Sequence, residues 1–226
     1  MNFSYDTITS LLDVSLDKAL TYKKVIIGSV AGIVLAVAAG VGFHWYWTAT
    51  QEAAQKDFFE LLTHYNAPGE HKWVTVEKEY RQAYERNKHA GIGPMFEVYQ
   101  ADALVAQGKH DEAIAHVENA SHSLASRELK DFMQLKLALM KLDSKQAIVQ
   151  KDGLTLLKSI AENSKHYANE AGLYYLGYFY FAQNDTQQAK NYWQQLMVKY
   201  GMKEMRQQSG FAEQTRGKLK LISADW

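Results

Sequence analysis

Apolar and polar positions divide the chain into one long apolar run followed by a train of amphipathic segments. From Val25 to Phe43 no residue is charged, and the apolar character continues to Trp47. A bilayer core takes about 20 residues in helical form, and a backbone in lipid must satisfy its own hydrogen bonds. The run 25–47 is therefore expected to be a single transmembrane helix. Lys23 and Lys24 precede it, and Trp45, Tyr46 and Trp47 close it, where amphipathic aromatics favour the headgroup level. Glu52, Lys56, Asp57 and Glu60 follow with no positive excess, so the positive-inside rule puts residues 1–24 in the cytoplasm and the remainder across the membrane. A second reading stays open, in which Ala36-Val37-Ala38 is a signal-peptidase site. Against it stand a 24-residue leader with three aspartates and an apolar run that continues past the site.

Within the run, Gly28, Gly32, Ala36 and Gly40 recur every fourth residue, a stripe that lets another helix approach closely. Ahead of it, Ile8, Leu11, Leu12, Leu16 and Leu20 fall at helical spacing, with Ser10-Leu11-Leu12-Asp13 as a candidate capping box. These residues read as a short amphipathic helix.

After Trp47 the period is helical throughout, and no stretch alternates with period two long enough for a sheet. Ala53, Phe58, Leu61 and Leu62 share one side of a first segment. Trp73, Val76, Tyr80 and Tyr84 share one side of a second, with breaks at Ala67 to Lys72 and at His89 to Pro94. Two later stretches repeat. Ala101, Ala106-Gln107-Gly108 and Ala113 correspond to Gly177, Ala182-Gln183-Asn184 and Ala189, 76 residues further on. Leu135 to Leu142 and Gly153 to Ile160 fill the place between, with Ala138 and Gly153 separated by about three extra residues and a longer turn expected around Lys145 to Lys151. Two antiparallel helices pack closely only where small side chains face each other, so Gly177 with Ala189 and Ala101 with Ala113 are expected facing pairs. Gly108 and Asn184 suit a left-handed residue ending the first helix of a hairpin.

Leu173-x-x-Leu176-Gly177-x-x-Tyr180, with Ala189 and Trp193, resembles the tetratricopeptide repeat. The expected fold is all-α: an N-terminal transmembrane helix, then an α-solenoid of tetratricopeptide-like hairpins over 48–201, closed by a capping segment at 202–226. Met202, Met205, Phe211, Leu219 and Ile222 form the apolar side of that cap, and Lys203, Arg206, Arg216, Lys218 and Lys220 its solvated side. An anchor, the segment Gly40 to Leu62 and degenerate repeats together resemble the YfgM-like family of ancillary subunits of the SecYEG translocon. That resemblance implies a bacterial inner-membrane protein with a periplasmic domain, associating with translocon subunits and a PpiD-type periplasmic folding factor, and assisting newly exported proteins.

Composition narrows the chemistry. Lys plus Arg equals Asp plus Glu, 25 each in 226 residues, so no field draws the chain to nucleic acid. Cysteine is absent, which excludes thiolate catalysis, disulfides and cysteine zinc sites. His110 and His116 are six apart, roughly 120° off on a helix, where a zincin needs one turn. Gly91-Ile92-Gly93-Pro94 is too short to cradle a phosphate. No enzyme activity, cofactor or metal is expected.

The tetratricopeptide pattern places a partner groove on the inner face of each first helix. Carried over by residue, that face holds Val98, Asp102 and Val105, then Leu135 and Leu139, then Tyr174, Tyr178 and Phe181. Aromatics and aliphatics there suit an extended apolar segment or a partner helix. The alternative is that Tyr174 and Tyr178 pack on the C-terminal segment. At the level of function, a scaffold of an envelope or division complex is the other class left open, and an organellar import receptor would need the opposite orientation.

Overall fold

The computed structural model describes residues 5–69, 72–201 and 210–224, with side chains from 36 to 222 within those ranges. Among the described residues every element is helical: α1 (Tyr5–Asn66), α2 (Lys72–Asn87), α3 (Gly93–Ala106), α4 (His110–Ser123), α5 (Arg127–Leu142), α6 (Ala147–Glu162), α7 (Asn169–Ala182), α8 (Thr186–Tyr200) and α9 (Gly210–Ala224). The chain divides into two units, 1–53 and 54–226.

The first unit is the leading part of α1. Its backbone is helical from Tyr5 onward, so Ser10 to Asp13 lie inside a helix and form no cap, a correction to the expected capping box. Among the described residues no helix is long and apolar enough to cross a membrane. The structure therefore lends no support to the expected span. Residues 25–35 of that span, including Gly28 and Gly32, lie outside the described side chains. Ala36 is exposed, and a Cβ on Gly40 would meet nothing within 4 Å.

The second unit is a stack of hairpins. The end of α1 runs antiparallel to α2, since Asp57 meets Arg86 and Asn87 while His64 meets Glu79. This hairpin precedes the three expected from the repeat. The pairs α3–α4, α5–α6 and α7–α8 follow, each second helix packing on the next first helix, and α9 lies on α8 and α7. Sequence chemistry sets the ends. Pro94 opens α3, where its missing N–H costs nothing. Ser126 and Asp185 cap α5 and α8 through the amides of Leu129 and Gln188. Gly108 (φ +78°) and Asn184 (φ +61°) take the left-handed conformation. The following amides, Lys109 and Asp185, then bond back to Leu104 and Tyr180 carbonyls at 2.9 Å and close the helix end.

The middle hairpin corrects the expected long turn. α5 ends at Leu142 and α6 begins at Ala147, so most of the extra residues extend α6 at its N-terminus. Three residues are close to one helical turn, which keeps Gly153 on the face towards α5. A Cβ on Gly153 would sit 2.9 Å from the Ala138 carbonyl oxygen, so this small pair is in place. The pair Gly177–Ala189 needs a second correction: the group filling the space beside Gly177 is the indole of Trp193.

Among the described residues, four buried clusters run through the stack. Phe58, Tyr80 and Phe96 centre the first, Leu104, Val117 and Leu137 the second, and Leu157, Ile160, Leu176 and Leu196 the third. Trp193, Ala189 and Ile222 form the last, which joins α8 to α9 and covers the terminal repeat. Met202 and Met205 of the expected cap lie outside the described residues.

Candidate functional site

The first helices of the hairpins carry the residues expected to line a groove, and the structure sorts them by exposure. Val98 (2%), Leu135 (7%) and Tyr174 (9%) are buried, and Leu139 packs against the core around Leu157. Val98, Leu135 and Tyr174 hold helices together and offer a partner little to touch, whereas Leu139 is half-buried. Asp102 and Val105 are half-buried, Tyr178 is 48% exposed and Phe181 37%.

On α3, Asp102 pairs with Lys136 of α5, Oδ1 to Nζ at 2.5 Å. It also faces tyrosines. Burial raises the pKa of Tyr65, and the nearby Asp102 carboxylate, which accepts its hydroxyl hydrogen bond, raises it further. Tyr99 is raised by the same two causes, burial first. Asp102 is thus committed to neighbours on α1 and α5 and ties the first two hairpins to the third. On α5 the exposed large apolar side chains are Leu129 and Phe132, each 40% exposed, with Phe132 one turn before Leu135.

On α7 the C-terminal helix comes close. Phe211 lies 5.3 Å from the Tyr174 ring and 6.0 Å from Tyr175. The Lys218 ammonium sits 5.5 Å from the Tyr178 ring centre and 5.8 Å from that of Phe181. Phe181 leans on Trp193 at 5.8 Å. α9 therefore occupies the Tyr174 end, and leaves Tyr178 and Phe181 exposed beside the Lys218 ammonium.

Sequence reasoning missed Phe132, Lys136, Tyr65 and Lys218. Carrying the repeat pattern one turn upstream of Leu135 finds Phe132. Lys136, Tyr65 and Lys218 join through ion-pair and ring contacts between distant segments, for which periodicity has no signal.

Polar groups buried elsewhere serve the fold. Asn169, 1% exposed, donates to the carbonyls of Ile160 and Ala161 and accepts from Lys199 and Tyr200. His166 faces Asp131 and Gln134. His110 opens α4, while His116 lies within it and faces Glu97 and Gln100. Among the described residues no group of three or more His, Cys, Asp or Glu side chains could hold a metal ion.

A family model of the tetratricopeptide repeat-like domain matches residues 20–219. No curated protein matches the chain. No solved structure matches it.

Proposed function

The chain belongs to the tetratricopeptide repeat-like domain family, a class of protein-interaction modules, and from that premise we propose a membrane-tethered module that serves protein export. The observation that carries the interaction role is the family match over a stack of hairpins whose first helices keep Phe132, Tyr178 and Phe181 accessible. The tether rests on the sequence. The 25–47 run is uncharged, lysines precede it, and exposed Trp45, Tyr46 and Trp47 close it.

In this reading residues 1–24 lie in the cytoplasm of a bacterial cell and the repeats in the periplasm. The anchor confines the repeats to a thin layer at the membrane, which raises their effective concentration beside a membrane-embedded partner. The resemblance to YfgM-like proteins supports translocon subunits and a PpiD-type folding factor as those partners. Newly exported chains would meet the exposed aromatics as extended apolar segments.

Pull-down of the full chain after mild detergent extraction tests this. Co-purification of translocon subunits and a periplasmic folding factor is expected. Recovery of division or envelope-assembly proteins alone would replace the export role with a scaffold role.

A further inference from the structure

Each of α3, α5 and α7 packs between two second helices, and two of the three resulting gaps are closed by side chains. Between α2 and α4, the Gln100 amide reaches Glu77 at 3.3 Å and His116 at 3.4 Å. Between α6 and α8, Tyr180 stacks on Tyr192 at 5.5 Å, with the Lys158 ammonium 5.8 Å from the Tyr180 ring. The gap between α4 and α6 is open. Lys141 stands three residues after Ala138, as Tyr180 stands three after Gly177. A lysine at this position extends to one side only, pairing with Glu118 of α4 at 3.4 Å. What remains is a cleft of about 440 Å³, continuous through Glu118, Lys141 and Asp152 with a second of about 310 Å³.

Its floor is apolar, made by the half-buried Leu156 and Val149 over the buried Leu137 and Ile114. Its walls are acidic. Asp111, Glu118 and Asp152 face it against the one ammonium of Lys141, and Lys145 lies beyond Gln146 at one end. Glu118 is paired and Asp111 accepts from Gln146 at 3.0 Å. The Asp152 carboxylate has neither hydrogen bond nor ion pair among the described residues. From Asp111 to His122 the cleft follows α4 for roughly 16 Å, the length of two to three helical turns.

We propose that this cleft docks an amphipathic helix of a partner protein, its apolar stripe on the half-buried Leu156 and Val149 and a lysine or arginine between Asp152 and Glu118. Charge complementarity selects a basic segment, since the lining carries an excess of carboxylate that a cation offsets. The cleft lies apart from Tyr178 and Phe181, so occupancy here leaves them accessible.

A photoreactive benzoylphenylalanine at exposed Thr155 in the full-length chain tests the cleft, with a biotinylated helical peptide of repeating Leu and Lys as probe. Its counterpart with Glu for Lys is the control, and a second photoreactive site at Tyr178 reports the other face. The expected result is crosslinking of the lysine peptide from 155, reduced at least about fivefold by Asp152→Lys, by Lys141→Tyr, and by raised salt. Equal crosslinking of the glutamate peptide, insensitivity to Asp152→Lys, or capture from 178 alone would overturn the proposal. Asp152 is exposed, so Asp152→Lys keeps the test valid should Lys141→Tyr fail to fold.

Discussion

Trp193 of α8 occupies the space that a side chain on Gly177 of α7 would need, and its indole Nε1 donates to the Tyr174 carbonyl at 3.1 Å. Trp193 is fully buried, so the hairpin is built around one large ring against one bare backbone. The indole is rigid and already hydrogen-bonded, and has little room to yield. Gly177→Ala is expected to cost about 1–3 kcal/mol or more through overpacking. Chemical denaturation of the two proteins checks this. A stability unchanged within error would mean that the indole is free to shift.

The left-handed helix ends predict a contrast in the opposite direction. Asn184 adopts φ +61°, which glycine takes without strain and alanine does not. Asn184→Gly is expected to keep stability within a few tenths of a kcal/mol, and Asn184→Ala to lose about 1 kcal/mol. Paired thermal melts measure the difference.

His166 gives a pH dependence. Its side chain is 7% exposed, and burial lowers its pKa below the ordinary 6.5, outweighing the Asp131 carboxylate, while Arg127 also lowers it. The unfolded chain therefore binds the proton first as pH falls. Stability from this site is complete above about pH 6.5 and declines as pH drops from there towards the lowered folded value. Replacing the group with His166→Gln, which keeps a partner for Gln134, is expected to flatten the curve between pH 7 and 5. A slope identical in both proteins would assign the dependence to other groups.

Much of this fold was legible in sequence because the repeat is a local pattern. The hairpins α3–α4 and α7–α8 follow from Gly108, Asn184 and the small residues around them, all within one short stretch. The hairpin of α1 with α2 was not legible as a unit. It has no small-residue signature, and is instead held by the aromatic cluster of Phe58, Tyr65, Tyr80 and Tyr99, with Phe58 and Tyr99 rings 5.1 Å apart. The longer turn expected near Lys145 failed for a related reason: an insertion of about one helical turn lengthens a helix without changing the facing residue, and spacing alone does not distinguish the two. At the candidate site, Val98, Leu135 and Tyr174 sit at groove positions of the repeat, yet neighbouring helices bury them. For Tyr174 the packing on the C-terminal segment was one of the two alternatives the sequence left open; Phe211 lies against it while Tyr178 stays exposed, a choice that periodicity alone does not make.

Exposure separates structural from accessible aromatics on α7. Tyr174→Ala removes a buried ring against Phe211 and is expected to cost about 3 kcal/mol. The double change Tyr178→Ala with Phe181→Ala removes more exposed rings and is expected to cost less stability, while weakening capture of an extended apolar peptide. Melting curves and peptide crosslinking on the same preparations read both effects. Loss of folding in the double variant with peptide capture intact in Tyr174→Ala would reverse these roles.

The tether and its orientation are tested most directly by protease digestion of intact cells and of spheroplasts, probing for the repeat domain. Protection in intact cells, digestion in spheroplasts and a membrane-retained stub that holds residues 1–47 are the expected result. A repeat domain that resists protease in spheroplasts, or that is released in soluble form after cleavage near Ala38, would contradict a module tethered outside the cytoplasm.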